Sequence, residues 1–339
     1  VTETVPPDAP EIGEHITLPD EAATILLGAR IGAELEAGDL VALHGPIGAG
    51  KTALARAILR ARLGDPELEA PSPTFTLVQS YDGPRGRVIH ADLYRIGGEG
   101  ELHELGLDEL DEEAAILVEW PERAPGLLDR PRLDVSLALD PATGGRIASL
   151  SGTGGLRVRL ERARAIEALI EEAGWAEARR LPMSGDASSR LYQRLKRPGG
   201  ETAVLMISPP RPDGPPVRRG KPYSAIARLA ESVHAFAAVD RGLIAEGFSA
   251  PRILAENLDA GLLLIEDLGP GTVVDANGPI AERYAEATRC LAALHAKRLP
   301  ASLPVAEGRE YAIPPYDLDA MSIEIDLLLD WYLPHIGGR

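Results

Sequence analysis

Eight consecutive residues, Gly45-Pro46-Ile47-Gly48-Ala49-Gly50-Lys51-Thr52, have the types and spacing of a phosphate-holding loop, G-x-x-x-x-G-K-[ST]. Its chemistry follows from its parts. Glycines let the backbone bend until successive N–H groups point inward at phosphate oxygens. A helix beginning near Lys51 aims its positive end at the same anion. Lys51 reaches the β- and γ-phosphates as a point charge, and Thr52 offers its hydroxyl to Mg2+. Composition also singles out Lys51. Of 35 basic residues only four are lysine, and Lys51 is the single lysine within residues 1–160. A chain that otherwise uses arginine keeps lysine where a compact ammonium is needed.

Hydrolysis of ATP needs two further things, a carboxylate for the metal and a group that orients water. Asp92 closes the run Val88-Ile89-His90-Ala91, and Glu119 closes Ile116-Leu117-Val118. In open α/β sheets, ligands bind beyond the carboxyl ends of parallel strands. Glu119 ends the more apolar, more central run and is assigned to Mg2+, directly or through water. Asp92 is assigned to sharing the metal or positioning the water. Either carboxylate could instead cap a helix or lie on the surface. Trp120 reads as a shield over the site or a reporter of nucleotide binding, or equally as a core anchor. Hydroxyls in Ser72-Pro73-Thr74-Phe75-Thr76, those of Thr74 and Thr76 above all, could sense the γ-phosphate as switch loops do. Spacing alone favours a plain turn there.

The elements that must position these residues are legible as an α/β pattern. Residues 1–14 are rich in Pro and acid and read as a loose tail. Asp20 caps a helix expected to run to about Ala37, with Gly38 ending it. A short strand follows at Leu40–Leu43, then the loop, then a helix from Lys51 to Leu63 stopped by Gly64. Thr74–Tyr81 and Arg87–Tyr94 read as two strands joined by Asp82-Gly83-Pro84-Arg85-Gly86. An acidic helical region and the strand Ala114–Val118 come next, and residues 132–160 read as short strands between Gly-rich turns. A new amphipathic helix is expected from Glu161 to Ala173, so the domain boundary is placed near residue 162: one domain over 15–162, a second over 163–339. The second opens with a hairpin over Gly185–Ile207 and a loop over Pro209–Pro222. Beyond that, helices alternate with the strand Gly261–Ile265.

Length and composition limit the function classes. The chain has 339 residues and 45% apolar content, which suits two globular domains and excludes wholesale disorder. No run approaches the ~18 uncharged apolar residues of a membrane span, and no lysine or arginine precedes Arg30, so neither a membrane span nor a secretory leader is expected. The single cysteine, Cys290, cannot form an internal disulfide, and a reducing cytoplasm is the expected compartment. Residues 1–160 hold 14 basic and 27 acidic side chains, so most of the net charge of −17 lies there. From Ile96 to Glu122 there are ten carboxylates and no lysine or arginine. Such a surface repels phosphate backbones, so any nucleic acid is expected to be reached through a partner protein.

Three stretches together carry a family resemblance: Gly45–Thr52; Ser72-Pro-Thr-Phe-Thr-Leu-Val78 with His90-Ala-Asp-Leu-Tyr-Arg95; and Val118-Glu-Trp-Pro-Glu-Arg123. In this order and spacing, residues 12–160 resemble TsaE, the small ATPase of bacterial tRNA threonylcarbamoyladenosine synthesis. The resemblance implies a three-layer P-loop NTPase domain with a mixed sheet. It implies ATP and Mg2+ as cofactors and a TsaB–TsaD pair as partner, with ATP hydrolysis resetting that complex and tRNA met only through it. It also implies roles for Lys51 and Thr52 at phosphate and metal, for Asp92 and Glu119 in the active site, and for Trp120 beside it.

Residues 164–339 resemble aminoglycoside-phosphotransferase-type kinases, nearest to the anomeric cell-wall amino-sugar kinases. The likeness rests on Gly185-Asp-Ala-Ser-Ser-Arg-Leu-Tyr192, Ala203-Val-Leu-Met-Ile-Ser-Pro-Pro210 and Leu262-Leu-Leu-Ile-Glu-Asp-Leu-Gly269. It implies a protein-kinase-like α+β domain with its nucleotide under the Gly185–Tyr192 hairpin. This sequence departs from that pattern. After Gly269 the only histidines are His295 and His335, and neither opens an H-x-D-x-x-x-x-N loop. Met206 stands where many kinases of this fold place a lysine. The expectation is an incomplete kinase domain that phosphorylates no sugar, with Ile323–Leu333 exposing apolar surface. Two alternatives remain open: a kinase acting on a small molecule or cell-wall amino sugar, and a non-catalytic module that docks in response to nucleotide.

Overall fold

The run Leu40-Val41-Ala42-Leu43 is buried on both sides, as a central parallel strand requires. In the computed structural model, which describes residues 14–97, 113–183, 190–210, 214–229, 232–276, 278–306 and 308–337, it lies inside a seven-stranded sheet ordered β1-β7-β6-β2-β5-β4-β3. The strands are β1 (Glu14–Leu18), β2 (Leu40–His44), β3 (Val78–Tyr81), β4 (Arg87–Asp92), β5 (Ala114–Glu119), β6 (Arg132–Leu139) and β7 (Arg146–Thr153). The neighbours β6, β2, β5 and β4 are parallel, and β3, β7 and β1 add antiparallel edges. The sheet is thus mixed, and the chain divides into two compact units, Val1–Arg164 and Ala165–Arg339.

Alternation along the strands sorts the core into two layers. Val41, Leu43, Ala115 and Leu117 meet Leu27 and Ile31 of α1 (Glu21–Glu34) and Leu54 and Ile58 of α2 (Lys51–Leu63). Leu40, Ile116 and Val118 face the other way, onto Leu93, Ile96, Ala124 and Leu127. Among the described residues, that second face is covered by 3-10 turns at Pro121–Arg123 and Pro125–Asp129. The expected acidic helical region falls largely on residues 98–112, outside those described. α1 and α2 approach closely because Gly28 and Gly32 of α1 face α2: a Cβ on Gly28 would lie 2.4 Å from that of Ala57.

Several expected boundaries move. Asp20 does cap α1, accepting from the Ala23 N–H at 2.9 Å, but the helix stops at Glu34. Leu35 turns extended and buries its side chain completely, which outweighs continued helix. Residues 74–77 form a turn and no strand: Leu77 sits at φ 63 and its N–H donates to the Pro73 carbonyl at 2.6 Å. β4 ends at Asp92, where the carboxylate accepts the Tyr94 N–H at 3.0 Å and bends the chain. Residues 132–153 make two eight-residue strands, longer than expected. The next helix, α3 (Gly155–Glu172), starts six residues ahead of Glu161, straight after Gly154 at φ 120. The division between the units falls within α3.

The second unit contains a five-stranded antiparallel sheet, β13-β14-β10-β9-β8. Its strands are β8 (Arg179–Pro182), β9 (Leu191–Lys196), β10 (Thr202–Ile207), β13 (Ile253–Asn257) and β14 (Leu262–Glu266), with a small ribbon of β11 (Pro216–Arg218) and β12 (Lys221–Pro222) inside the stretch expected to be loop. Ala203, Leu205 and Ile207 pack with Ile166, Leu169, Ile170 and Trp175 on one face. Val204 and Met206 pack with Val233 on the other. The described part also holds helices α4 (Tyr223–Ala227), α5 (Val233–Ala245), α6 (Ala281–His295) and α7 (Leu318–Leu327), with α8 (Leu333–Gly337) after a π turn at Leu328–Tyr332, and two antiparallel ribbons, Val274–Asp275 with Gly278–Pro279 and Ser302–Ala306 with Arg309–Ala312. Of the expected hairpin, residues 184–189 are not among those described.

Candidate functional site

β2 delivers the chain to the Gly45–Thr52 loop, and α2 leaves it. Two glycines are required by geometry. Gly45 has φ +134, and a Cβ there would lie 2.3 Å from the Leu137 carbonyl oxygen of β6. Gly50, the residue before α2, has φ +103. Ala49 is fully buried, whereas Ile47 is 71% exposed at the loop tip. Pro46 and Gly48 complete the turn, Gly48 at φ 79.

Lys51 folds back over this loop. Its Nζ donates to the carbonyls of Gly45 at 2.7 Å and Pro46 at 3.0 Å, and lies 3.7 Å from the centre of the Trp120 ring. Burial lowers the Lys51 pKa below the ordinary lysine value, against the opposing pull of Glu119, Glu122 and Asp92. Trp120 holds its place at a cost: its φ of 59 is a left-handed conformation worth about 1–2 kcal/mol for a side-chain-bearing residue. Its ring also meets that of Tyr94, centroids 5.0 Å apart.

Parallel pairing sets Asp92 directly opposite Glu119 at the carboxyl ends of β4 and β5. Both side chains are buried. Thr52, in the first turn of α2, donates its hydroxyl to Glu119 Oε2 at 2.9 Å. Asp92 Oδ2 accepts from Ser72 at 2.6 Å and Thr74 at 3.2 Å. Lys51, Thr52, Asp92, Glu119, Trp120 and Thr74 are therefore brought together, and Thr76 is exposed outside this set.

The donor set suits Mg2+. A hydroxyl and a carboxylate stand side by side next to a phosphate-type loop, and Mg2+ is commonly held by one or two carboxylates together with substrate phosphates. No group of three or more His, Cys, Asp or Glu side chains fit to hold a metal occurs among the described residues. Thr52 and Glu119 thus fit the ion in company with a phosphate.

Two contributors, His90 and Arg146, escaped sequence reasoning, and Ser72, expected among possible γ-phosphate sensors, takes another role. His90, fully buried, places Nε2 3.0 Å from Glu119 Oε1. Ser72 holds Asp92. Arg146, at the start of β7, donates from Nε to the Ala49 carbonyl at 2.9 Å and lies against Gly50. His90 stands two residues before Asp92 in an apolar run, which was a usable signal. Arg146 is 95 residues beyond Lys51, and only the fold unites them.

Comparison with known proteins gives a family for the residues that build this site. The family model "Threonylcarbamoyl adenosine biosynthesis protein TsaE" matches residues 18–146. The TsaE protein of Mycobacterium bovis is 39% identical over 148 residues, covering 41% of this chain and 87% of that protein. That of Rickettsia conorii is 38% identical over 125 residues, 37% of this chain and 71% of that protein. An N-acetylmuramate/N-acetylglucosamine kinase of Caulobacter vibrioides is 36% identical over 183 residues, 50% of this chain and 50% of that protein, so the chain spans about half the length of that relative. A phosphate-type loop at the carboxyl edge of a mixed sheet, with its threonine on a strand-end glutamate, thus coincides with the matched residues. The chain belongs to the TsaE family, joined to a part related to that kinase.

Proposed function

We propose that the first unit is a Mg2+-dependent ATPase serving the synthesis of threonylcarbamoyladenosine in tRNA. The observation that carries this reading is the 2.9 Å bond from Thr52 to Glu119 beside the Lys51 loop, which joins the phosphate-holding and metal-holding halves of an NTPase site. Lys51 exchanges its two loop carbonyls for β- and γ-phosphate oxygens, and the amides of residues 45–52 bind the remainder. Thr52 and Glu119 hold Mg2+, which supplies charge neutralisation at the phosphates when bound. Asp92, anchored by Ser72 and Thr74, orients the attacking water. Trp120 walls the site beside Lys51.

A TsaB–TsaD-type protein pair is the partner, tRNA is reached through it, and the setting is cytoplasmic. No helix among the described residues is long and apolar enough to cross a membrane. The kinase-related part spans about half the length of its N-acetylmuramate/N-acetylglucosamine kinase relative. The test is ATP turnover with and without the TsaB–TsaD pair. Stimulation that falls by about 100-fold or more in Lys51→Ala and Glu119→Gln supports the reading. Nucleotide-dependent docking with no turnover in any protein would leave a binding module instead.

A further inference from the structure

Glu119 has two carboxylate oxygens and both are held. Oε2 accepts the Thr52 hydroxyl at 2.9 Å, and Oε1 lies 3.0 Å from His90 Nε2. The two side chains are sealed from solvent, with Glu119 2% and His90 0% exposed. A carboxylate can only accept, so His90 must carry its proton on Nε2. That tautomer leaves Nδ1 as a lone-pair acceptor, and Nδ1 is buried without a partner. An unsatisfied buried acceptor costs about 1–3 kcal/mol. An apolar side chain at this position would carry no such unsatisfied acceptor. Packing therefore does not explain a histidine here, whereas the Nε2 bond to Glu119 does.

We propose that His90 is a positioning residue for the metal-binding carboxylate. Its Nε2–H fixes Oε1 and thereby turns Oε2 toward Thr52 and the ion. His90 is fully buried and acts through Glu119. Both lie on adjacent parallel strands, His90 opposite Leu117 in register, so β4 presents this donor as rigidly as β5 presents the acid. Outer partners of this kind typically contribute 10–100-fold in metal affinity or activity. The inference rests on the proposed Mg2+-nucleotide site.

The test compares His90→Gln, His90→Asn and His90→Leu in the full chain. A glutamine amide reaches the place of Nε2, and an asparagine amide stops near Nδ1. Mn2+ affinity in the presence of ADP is read by electron paramagnetic resonance, metal-free ADP affinity by calorimetry, and thermal midpoint in parallel. The expected result is Mn2+ affinity within about threefold of the parent in His90→Gln and 10–100-fold weaker in the Asn and Leu variants, with metal-free ADP affinity unchanged. Equal Mn2+ affinity in parent and folded His90→Leu would overturn the proposal, as would equal losses in Gln and Asn. If the parent itself takes up no Mn2+ with ADP, the ATPase reading fails.

Discussion

At Gly45 the main chain adopts φ +134 with β6 pressed against its α-carbon, so the first glycine of the loop is a packing requirement as well as a hinge. Gly45→Ala must pull β6 away or distort the turn. A loss of about 2 kcal/mol or more in the first unit is expected, together with weakened nucleotide binding; chemical denaturation and calorimetry check the two effects. Gly48, at φ 79 with open space where a Cβ would stand, carries only the conformational part of that cost, and Gly48→Ala is expected to be the milder change. Glu119 illustrates a different residue-scale lesson. The sequence marked it as the acid at the end of an apolar strand, which parallel pairing explains. Its clamp between Thr52 and His90 was harder to read: the placement of His90 two residues before Asp92 was a signal, but hydrogen bonds across 67 and 29 residues leave no mark on local spacing.

Among the elements, α7 and the turns after it combine a tied polar side with an open apolar one. Asp317 pairs with Arg228 at 2.7 Å, Tyr223 donates to Glu324 at 2.6 Å, and Arg218 meets Asp326. Meanwhile Ile325, Leu328, Leu329 and Tyr332 are each more than half exposed. The sequence expectation of apolar surface around Ile323–Leu333 agrees for these residues, although Ile323 itself is buried. Leu328→Glu with Leu329→Glu is expected to reduce concentration-dependent self-association, read by sedimentation velocity. The tie through Tyr223 also has a pH signature. Its hydrogen bond to Glu324 raises the Tyr223 pKa to about 12 from 10.0. A raised folded-state value means that this contribution is complete below pH 10 and disappears as pH climbs toward 12. Tyr223→Phe should flatten the alkaline limb of a stability profile in that window. Helix and strand identity were mostly legible from periodicity. Ends marked by a cap or a glycine were legible too, as at Asp20 and for Lys51–Leu63 before Gly64, whereas Leu35 and Asp92 stop their elements through burial and a side-chain bond.

For the molecule as a whole, charge and tryptophan placement matter most. With a net charge of −17 concentrated in residues 1–160, direct tRNA binding at physiological salt is expected to be weaker than about 10 µM, measured by filter retention, because few phosphate contacts can be neutralised. Addition of the partner pair should be needed before tRNA is retained. The division into two units was suggested by length and by the amphipathic helix expected from Glu161, but that helix starts earlier, at Gly155, and the division falls between Arg164 and Ala165. The chain has three tryptophans, at 120, 175 and 331, and Trp120 alone belongs to the first unit. The Lys51 ammonium rests 3.7 Å from its ring centre. Any anion that draws the ammonium away changes the electric field on that indole, so the first unit carries its own optical probe: fluorescence emission from Trp120 should shift when nucleotide arrives, with no dye attached.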